Sequence, residues 1–271
     1  MPDAAELSEP GMLLAGKRAL VLGVANDHSI AWGIARSLNA QGARMAMTYQ
    51  GEGFGRRVVP LAETLEAEIV EPADVQNDDS LDSLFGRIGE VWGGLDILVH
   101  AIAYSDKAEL DGRCLDTSRE NFRTSLEISC YSLVDLTRRA VPLMGDGGSV
   151  ITLSYLGAQR VTPNYNVMGV AKAALESAVR YLANDLGPQG IRVNAISPGP
   201  MRTLAGAAIA GARKVYKATE ANAPLRANAT LDAVGGTAVY LASDYGRCTS
   251  GEVIFVDGGY HVTGMAQPEN L

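Results

Sequence analysis

Short runs of apolar residues alternate along this chain with longer stretches whose apolar positions recur at helical spacing. Arg18–Val24 is the first such run, rich in Leu and Val, and Ser29–Gln41 is the first helical stretch, stopping at Gly42. Further strand-like runs fall at Arg44–Tyr49, Glu68–Pro72, Leu95–Ala101, Gly148–Ser154, Arg192–Ser197 and Glu252–Val256. Helical spacing returns at Asp79–Val91, with Asp78 or Asp79 as its cap, and at Arg119–Leu143, Tyr165–Leu186 and Leu231–Leu241. Strands that are apolar throughout and separated by helices predict a parallel sheet covered on both faces. Two stretches break the alternation. Val24–His28 is a polar turn, and Pro198–Ala223 is a Pro/Gly/Ala-rich excursion with room for one short helix, the kind of insertion that often serves as a lid.

The expected architecture is α/β: one doubly wound Rossmann-type domain with a seven-stranded parallel sheet. Its first strand, Gly23 and a helix opening at Ser29 form the place where such a fold holds a pyrophosphate, on the free N–H groups and positive dipole end of the helix. Ser29 is expected to cap that helix. The Gly-x-Gly-x-x-Gly fingerprint is absent, so a plain strand–helix turn reads equally from these residues alone. The second strand ends Thr48-Tyr49-Gln50, with a neutral Gln50 where an acid commonly meets the ribose. Arg56 and Arg57 follow, within reach of a 2′-phosphate. NADH is the expected cofactor and NADPH stays open. Asp74-Val75 follows the third strand, where the aspartate either meets a base or caps a turn. His100-Ala101-Ile102-Ala103 closes the fourth strand with small residues, against which a cofactor can lie close.

Length and charge narrow the picture. The 271 residues are 47% hydrophobic and 20% charged, ordinary globular composition, and the net charge of −8 argues against a nucleic-acid partner. Cys114, Cys130 and Cys248 have no metal or redox spacing, so no metal is expected and a reducing compartment is. Met1–Gly11 lacks the basic and apolar regions of a signal peptide. No run approaches the roughly 18 apolar residues of a membrane span, so a cytoplasmic address is expected.

Tyr165 and Lys172 stand seven positions apart on one helix and so share a face. Lysine charge beside a tyrosine favours phenolate character. Spacing alone favours a packed tyrosine and a solvent-reaching lysine, since such pairs are common by chance. Tyr155 follows the fifth strand, at the end where open α/β sheets place ligands.

With these residues together, the chain resembles the short-chain dehydrogenase/reductase superfamily and, within it, the bacterial enoyl-[acyl-carrier-protein] reductases. The resemblance rests on Ser154-Tyr155-Leu156-Gly157, on Pro163-Asn164-Tyr165-Asn166-Val167-Met168-Gly169-Val170-Ala171-Lys172, on Gly23 through Ser29-Ile30-Ala31, on Thr48-Tyr49-Gln50, on Arg192–Ser197, on Arg202-Thr203-Leu204-Ala205 and on Val256-Asp257-Gly258-Gly259. Most of the superfamily has its tyrosine four positions before the lysine. Here that position is Met168, and only the seven-residue spacing of the enoyl reductases supplies a tyrosine.

The resemblance implies reduction of the trans-2 double bond of an enoyl thioester carried by acyl carrier protein. Tyr155, Tyr165 and Lys172 would be catalytic. Gly23, Ser29, Ile30, Gln50, Asp74, Val75, Ala101, Lys172 and Thr203 would hold the cofactor, and Ala103, Tyr155, Tyr165, Met201 and Tyr216 would meet the substrate. It implies a homotetramer, and a domain at 16–265 with a substrate-covering loop at about 199–222, between tails at 1–15 and 266–271. Two departures are Ala212, where a bulky apolar residue is expected, and Pro198, where alanine is common. Arg202, Arg213, Lys214, Lys217 and Arg226 against the single acid Glu220 suit an acidic carrier protein or a solvated helix face. Another short-chain reductase, or a nucleotide-binding regulator without turnover, are the alternatives.

Overall fold

A computed structural model describes residues 12–207 and 210–271. Seven parallel strands form one sheet: β1 (Arg18–Leu22), β2 (Arg44–Tyr49), β3 (Ile69–Pro72), β4 (Ile97–His100), β5 (Gly148–Leu153), β6 (Ile191–Pro198) and β7 (Val253–Val256). Their order is β3-β2-β1-β4-β5-β6-β7, so the chain reverses direction across the sheet between β1 and β4. Register places Leu22 beside His100 and Thr152 beside both His100 and Ala195, which brings the carboxyl ends of the central strands to one level. A crevice at such a reversal is where doubly wound sheets bind ligands.

Alternate residues of each strand feed two cores. Ala19 and Val21 pack with helices α1 (Ile30–Ala40), α2 (Gly51–Thr64) and α9 (Leu231–Ala242) on one face. Leu20 and Leu22 pack with α3 (Asp78–Trp92), α5 (Ser132–Ala140) and α6 (Asn166–Leu186) on the other. Each strand is apolar on both sides because each side is covered.

Several elements differ from the pattern-based expectation. Helix α2 was not foreseen: Gly51, Gly53, Gly55 and Pro60 obscure its periodicity, yet Val58 and Ala62 are fully buried against the sheet. The cap of α3 is Asn77, whose Oδ1 accepts from Ser80 N at 3.1 Å, rather than Asp78 or Asp79. Arg119–Leu143 is not one regular helix. It runs as α4 (Arg119–Leu126), a π-helical turn (Glu127–Tyr131), α5 and a final 3-10 turn (Val141–Leu143). The 198–223 excursion holds two helices, α7 (Leu204–Ala207) and α8 (Ala212–Asn222), where one was expected.

The expected tails need correction where they are described. Leu14 is fully buried and its N–H donates to Gln41 O at 2.8 Å, so residues 12–15 belong to the domain. The 266–271 segment is also docked: Gln267 N donates to Asn222 Oδ1 at 2.8 Å, Asn270 Nδ2 to Ala221 O at 3.1 Å, and Glu269 pairs with Arg226 at 2.8 Å. Residues 1–11 of the expected N-terminal tail and 208–209 of the expected covering loop lie outside the described residues. Among the described residues no helix is long and apolar enough to cross a membrane.

Candidate active site

At the carboxyl end of β1 the chain turns at Gly23 with φ +100°. A Cβ there would stand 2.1 Å from Ala101 O, so only glycine lets β1 and the segment leaving β4 come this close. Ser29 occupies the N-cap position of α1 without capping it. Its hydroxyl oxygen accepts instead from Ala25 N and Asn26 N, both at 3.0 Å, and so shapes the Val24–His28 turn. This corrects the expected cap. The first N–H that α1 bonds internally is that of Trp32, to Ser29 O at 3.0 Å, which leaves the amides of Ile30 and Ala31 facing out of the helix end.

Gln50 is exposed at the head of α2, with Arg56 and Arg57 on its outer face. Asp74 Oδ1 accepts from Gln76 N at 3.0 Å, the turn-capping alternative, and leaves Oδ2 outside that bond. Val75, which follows it, and Ala101 at the β4 exit are both half-buried. Thr203 Oγ1 accepts from Gly206 N at 2.9 Å and thereby starts α7. A tight glycine turn, a helix end with open amides and small residues at the β4 exit form a cradle that fits a dinucleotide.

Tyr165 sits at the N-cap of α6 and Lys172 two turns along it. Tyr165 is 8% exposed and packs its ring edge-on against Tyr155, with centroids 4.9 Å apart. Gly157 lies beneath it, where a Cβ would be 2.4 Å from the Tyr165 ring. Lys172 is buried, and its Nζ donates to Leu153 O, at the end of β5, at 2.7 Å. Met168, the residue at the commoner tyrosine position, is buried with Leu110 and Val167 beside Tyr165 and carries no transferable proton. The structure thus brings Tyr155 and Tyr165 into contact and places Lys172 two turns along the same helix, its ammonium on the carbonyl two residues before Tyr155.

Burial dominates the electrostatics. It pushes the Tyr155 hydroxyl up to about 12 and the Tyr165 hydroxyl further in the same direction. It lowers Lys172 to about 8, against the opposing effects of Cys130 and Glu176. The expected phenolate character is therefore not met: Tyr165 keeps its proton, and the ammonium points at a carbonyl. His100 is fully buried and lowered to about 3, first by burial and then by the Lys172 charge. Its neutral ring joins Thr152 Oγ1 at 2.7 Å and Ser132 Oγ at 2.8 Å, tying β4 and β5 to α5.

Some positioning groups escape sequence reasoning. The π turn aims Ser129 at the β4 exit, where its oxygen accepts from Tyr104 N at 2.9 Å. Asn164 and Asn166, at φ +59° and +37°, bracket Tyr165. Asn164 Nδ2 donates to Ala210 O at 2.9 Å and Asn166 Nδ2 to Leu110 O at 3.0 Å, so the tyrosine is tethered to two covering segments at once. Asparagine tolerates left-handed backbone, which makes Pro-Asn-Tyr-Asn the legible signal for this turn.

Of the expected substrate residues, Ala103 is exposed after β4, while Met201 is half-buried against the first core. Tyr216 on α8 carries the Arg202 guanidinium over its ring at 4.8 Å.

A family model described as enoyl-(acyl carrier protein) reductase matches residues 23–261. The chain is 54% identical to the enoyl-[acyl-carrier-protein] reductase [NADH] 2 of Rhizobium meliloti, over 96% of this chain and 97% of that protein. The crystal structure of the reductase from Anaplasma phagocytophilum in complex with NAD superposes with a TM-score of 0.93 at 55% identity, covering 96% of this chain and 99% of that one. The Bacillus cereus enoyl-acyl carrier protein reductase, solved with NADP+ and an indole naphthyridinone, superposes with a TM-score of 0.91 at 49% identity, covering 93% and 99%. Matched along almost its whole length, and with the tyrosine–lysine spacing built into α6, the chain belongs to the enoyl-[acyl-carrier-protein] reductase family of the short-chain dehydrogenases/reductases.

Proposed function

We propose that this protein is an NADH-dependent enoyl-[acyl-carrier-protein] reductase that saturates the trans-2 double bond of an enoyl thioester during fatty acid elongation. The observation that carries the reading is the buried Tyr165–Lys172 pair on α6, with Met168 in the place where ketone reductases keep their tyrosine. Gly23, Ser29, Ile30, Gln50, Asp74, Val75, Ala101, Lys172 and Thr203 would hold the cofactor, which supplies a hydride to the β-carbon. Tyr165 keeps its hydroxyl proton and donates a hydrogen bond to the thioester oxygen as charge gathers there. Lys172 anchors ribose hydroxyls and adds positive charge beside that oxygen, and Tyr155 shapes the acyl site with Ala103, Met201 and Tyr216. Arg56 and Arg57 leave room for a 2′-phosphate, so NADPH serves as a weaker alternative.

Purified protein should oxidise reduced nicotinamide, followed at about 340 nm, with a medium-chain trans-2-enoyl thioester and not with a β-ketoacyl thioester. Silence with the enoyl substrate despite cofactor binding sinks the assignment in favour of a regulatory nucleotide-binding protein.

Activity should carry an alkaline limb near pH 8, since burial holds Lys172 at about 8 and only its protonated form carries the charge. The stability term has the opposite sign. A lysine whose folded value lies below its ordinary one destabilises the fold while protonated, and that cost fades as pH rises past the folded value. Turnover should therefore fall between pH 8 and 10 while this residue's contribution to stability improves. A kcat/KM profile flat to pH 10 contradicts the role given to Lys172.

Arg226 is paired with Glu269 and Arg202 stacks on Tyr216, which leaves Arg213, Lys214 and Lys217 as exposed cations of α8 with no ion pair among the described residues. They form the docking face for acidic carrier protein in this reading. Arg213→Glu with Lys214→Glu should raise KM for the carrier-bound substrate about tenfold at low salt, and leave a short pantetheine thioester unaffected. Equal effects on both substrates would move the docking face elsewhere.

The assembly proposed is a homotetramer at a cytoplasmic address. Exposed Phe122, Tyr131, Val170 and Tyr181 on the α4–α6 side offer apolar surface for it, and among the described residues β7 pairs with β6 alone, which leaves a sheet edge.

A further inference from the structure

One turn beyond Lys172 on α6 lies Glu176, only 4% exposed. A carboxylate this buried requires partners. Among the described residues two neutral groups donate to it: Ser154 Oγ to Oε1 at 2.6 Å and Gln159 Nε2 to Oε2 at 3.0 Å. These donors are the two ends of the loop that leaves β5 and carries Tyr155. Inside that loop, Ala158 N donates to Tyr155 O at 2.9 Å and Gln159 N to Leu156 O at 3.0 Å, so it moves as a unit. The residue before the loop, Leu153, is the one whose carbonyl accepts from Lys172 Nζ.

We propose that Glu176 is a positioning residue for the reduction, its carboxylate clamping both ends of the Ser154–Gln159 loop to α6 and facing the Lys172 ammonium across one helical turn. This role rests on the enoyl-reductase reading of the same site. The clamp sets where Tyr155 stands, and through the ring contact it braces Tyr165. Its charge matters separately. The titratable groups that act on Lys172 or feel its charge are the Cys130 thiol on the π turn, the neutral His100 ring on β4 and Glu176. Among them Glu176 is the carboxylate, and it opposes the burial that draws Lys172 down. A neutral acceptor would serve Ser154 equally well, so the charge is the part that a purely structural role leaves unexplained.

Three readouts on the full-length protein test this. They are peptide-resolved reductive methylation of Lys172 against pH in cofactor-free protein, the alkaline limb of kcat/KM, and kcat with KM at neutral pH. Glu176→Gln keeps an acceptor for Ser154, and Gln159 can turn its amide to match. It should lower the Lys172 labelling midpoint and the alkaline limb together by roughly one pH unit. Gln159→Leu keeps the charge and frees the far end of the loop. It should cut kcat about fivefold with the Lys172 midpoint unmoved. A midpoint and limb unchanged in Glu176→Gln overturn the proposal. If that variant does not fold, Glu176→Asp decides: it retains the charge but is too short for both donors, and an unaltered kcat overturns the clamp. A wild-type protein inert toward enoyl thioesters, in which Glu176→Gln still moves the Lys172 midpoint, would sink the functional reading and leave the positioning geometry standing.

Discussion

Tyr165→Phe should lower kcat by about 10²–10³-fold, leaving KM nearly unchanged and the thermal midpoint within a few degrees of the parent. The magnitude is that of deleting one well-placed donor to a developing oxyanion, about 3–4 kcal/mol. Selectivity for kcat follows because the bond strengthens only as charge reaches the thioester oxygen. Stability is spared because the hydroxyl bonds no described residue, while the ring contacts with Tyr155 and Gly157 survive the substitution. Burial, which raises this hydroxyl above its ordinary range, keeps the donor protonated across the working pH. A decrease of only two- or threefold would shift the donor's role to Tyr155, where the corresponding phenylalanine substitution is expected to be the milder one.

Gly23→Ala should damage fold and site together. The added methyl meets Ala101 O at 2.1 Å in a backbone conformation of φ +100° that alanine avoids. Relief requires parting β1 from the β4 exit, at the centre of the sheet. A loss of about 3–4 kcal/mol is expected, which for a domain of this size is roughly 10 °C in thermal midpoint. Cofactor-free protein should be used, so that weakened dinucleotide binding does not inflate the shift. Gly53→Ala is the control, because its position in α2 has nothing within 4 Å of the added atom. An unchanged midpoint in Gly23→Ala would mean that the turn relaxes more easily than the backbone geometry implies.

The parallel sheet was legible because each strand is apolar on both faces, and the tyrosine–lysine pair because seven residues make two helical turns. Other features gave weaker signals. The three glycines and Pro60 hide α2, whose helicity comes from burying Val58 and Ala62 rather than from local propensity. The π turn has no periodicity of its own. Ser29 and Asp74 stand beyond strand ends where a cofactor is expected, but both spend hydrogen-bonding capacity on their own turns. Glu176 is invisible in sequence because a glutamate on a helix ordinarily faces water. Only the arrival of Ser154 and Gln159 from another element makes it a buried charge.

The strand order also governs how a newly made chain comes to fold. Each pairing in the sheet is between parallel strands, so none can form as a local hairpin. Arg18 must wait 78 positions for Asp96, its partner at the foot of β4. By the time β4 has joined β1, the β5 segment Gly148–Leu153 is still to come, and the apolar edge of Ile97–His100 stands open. Such topology folds slowly and tempts unpaired edges to find one another. Ribosome pace and chaperone supply, rather than the energy of the finished sheet, would then limit the yield of this protein in the cell.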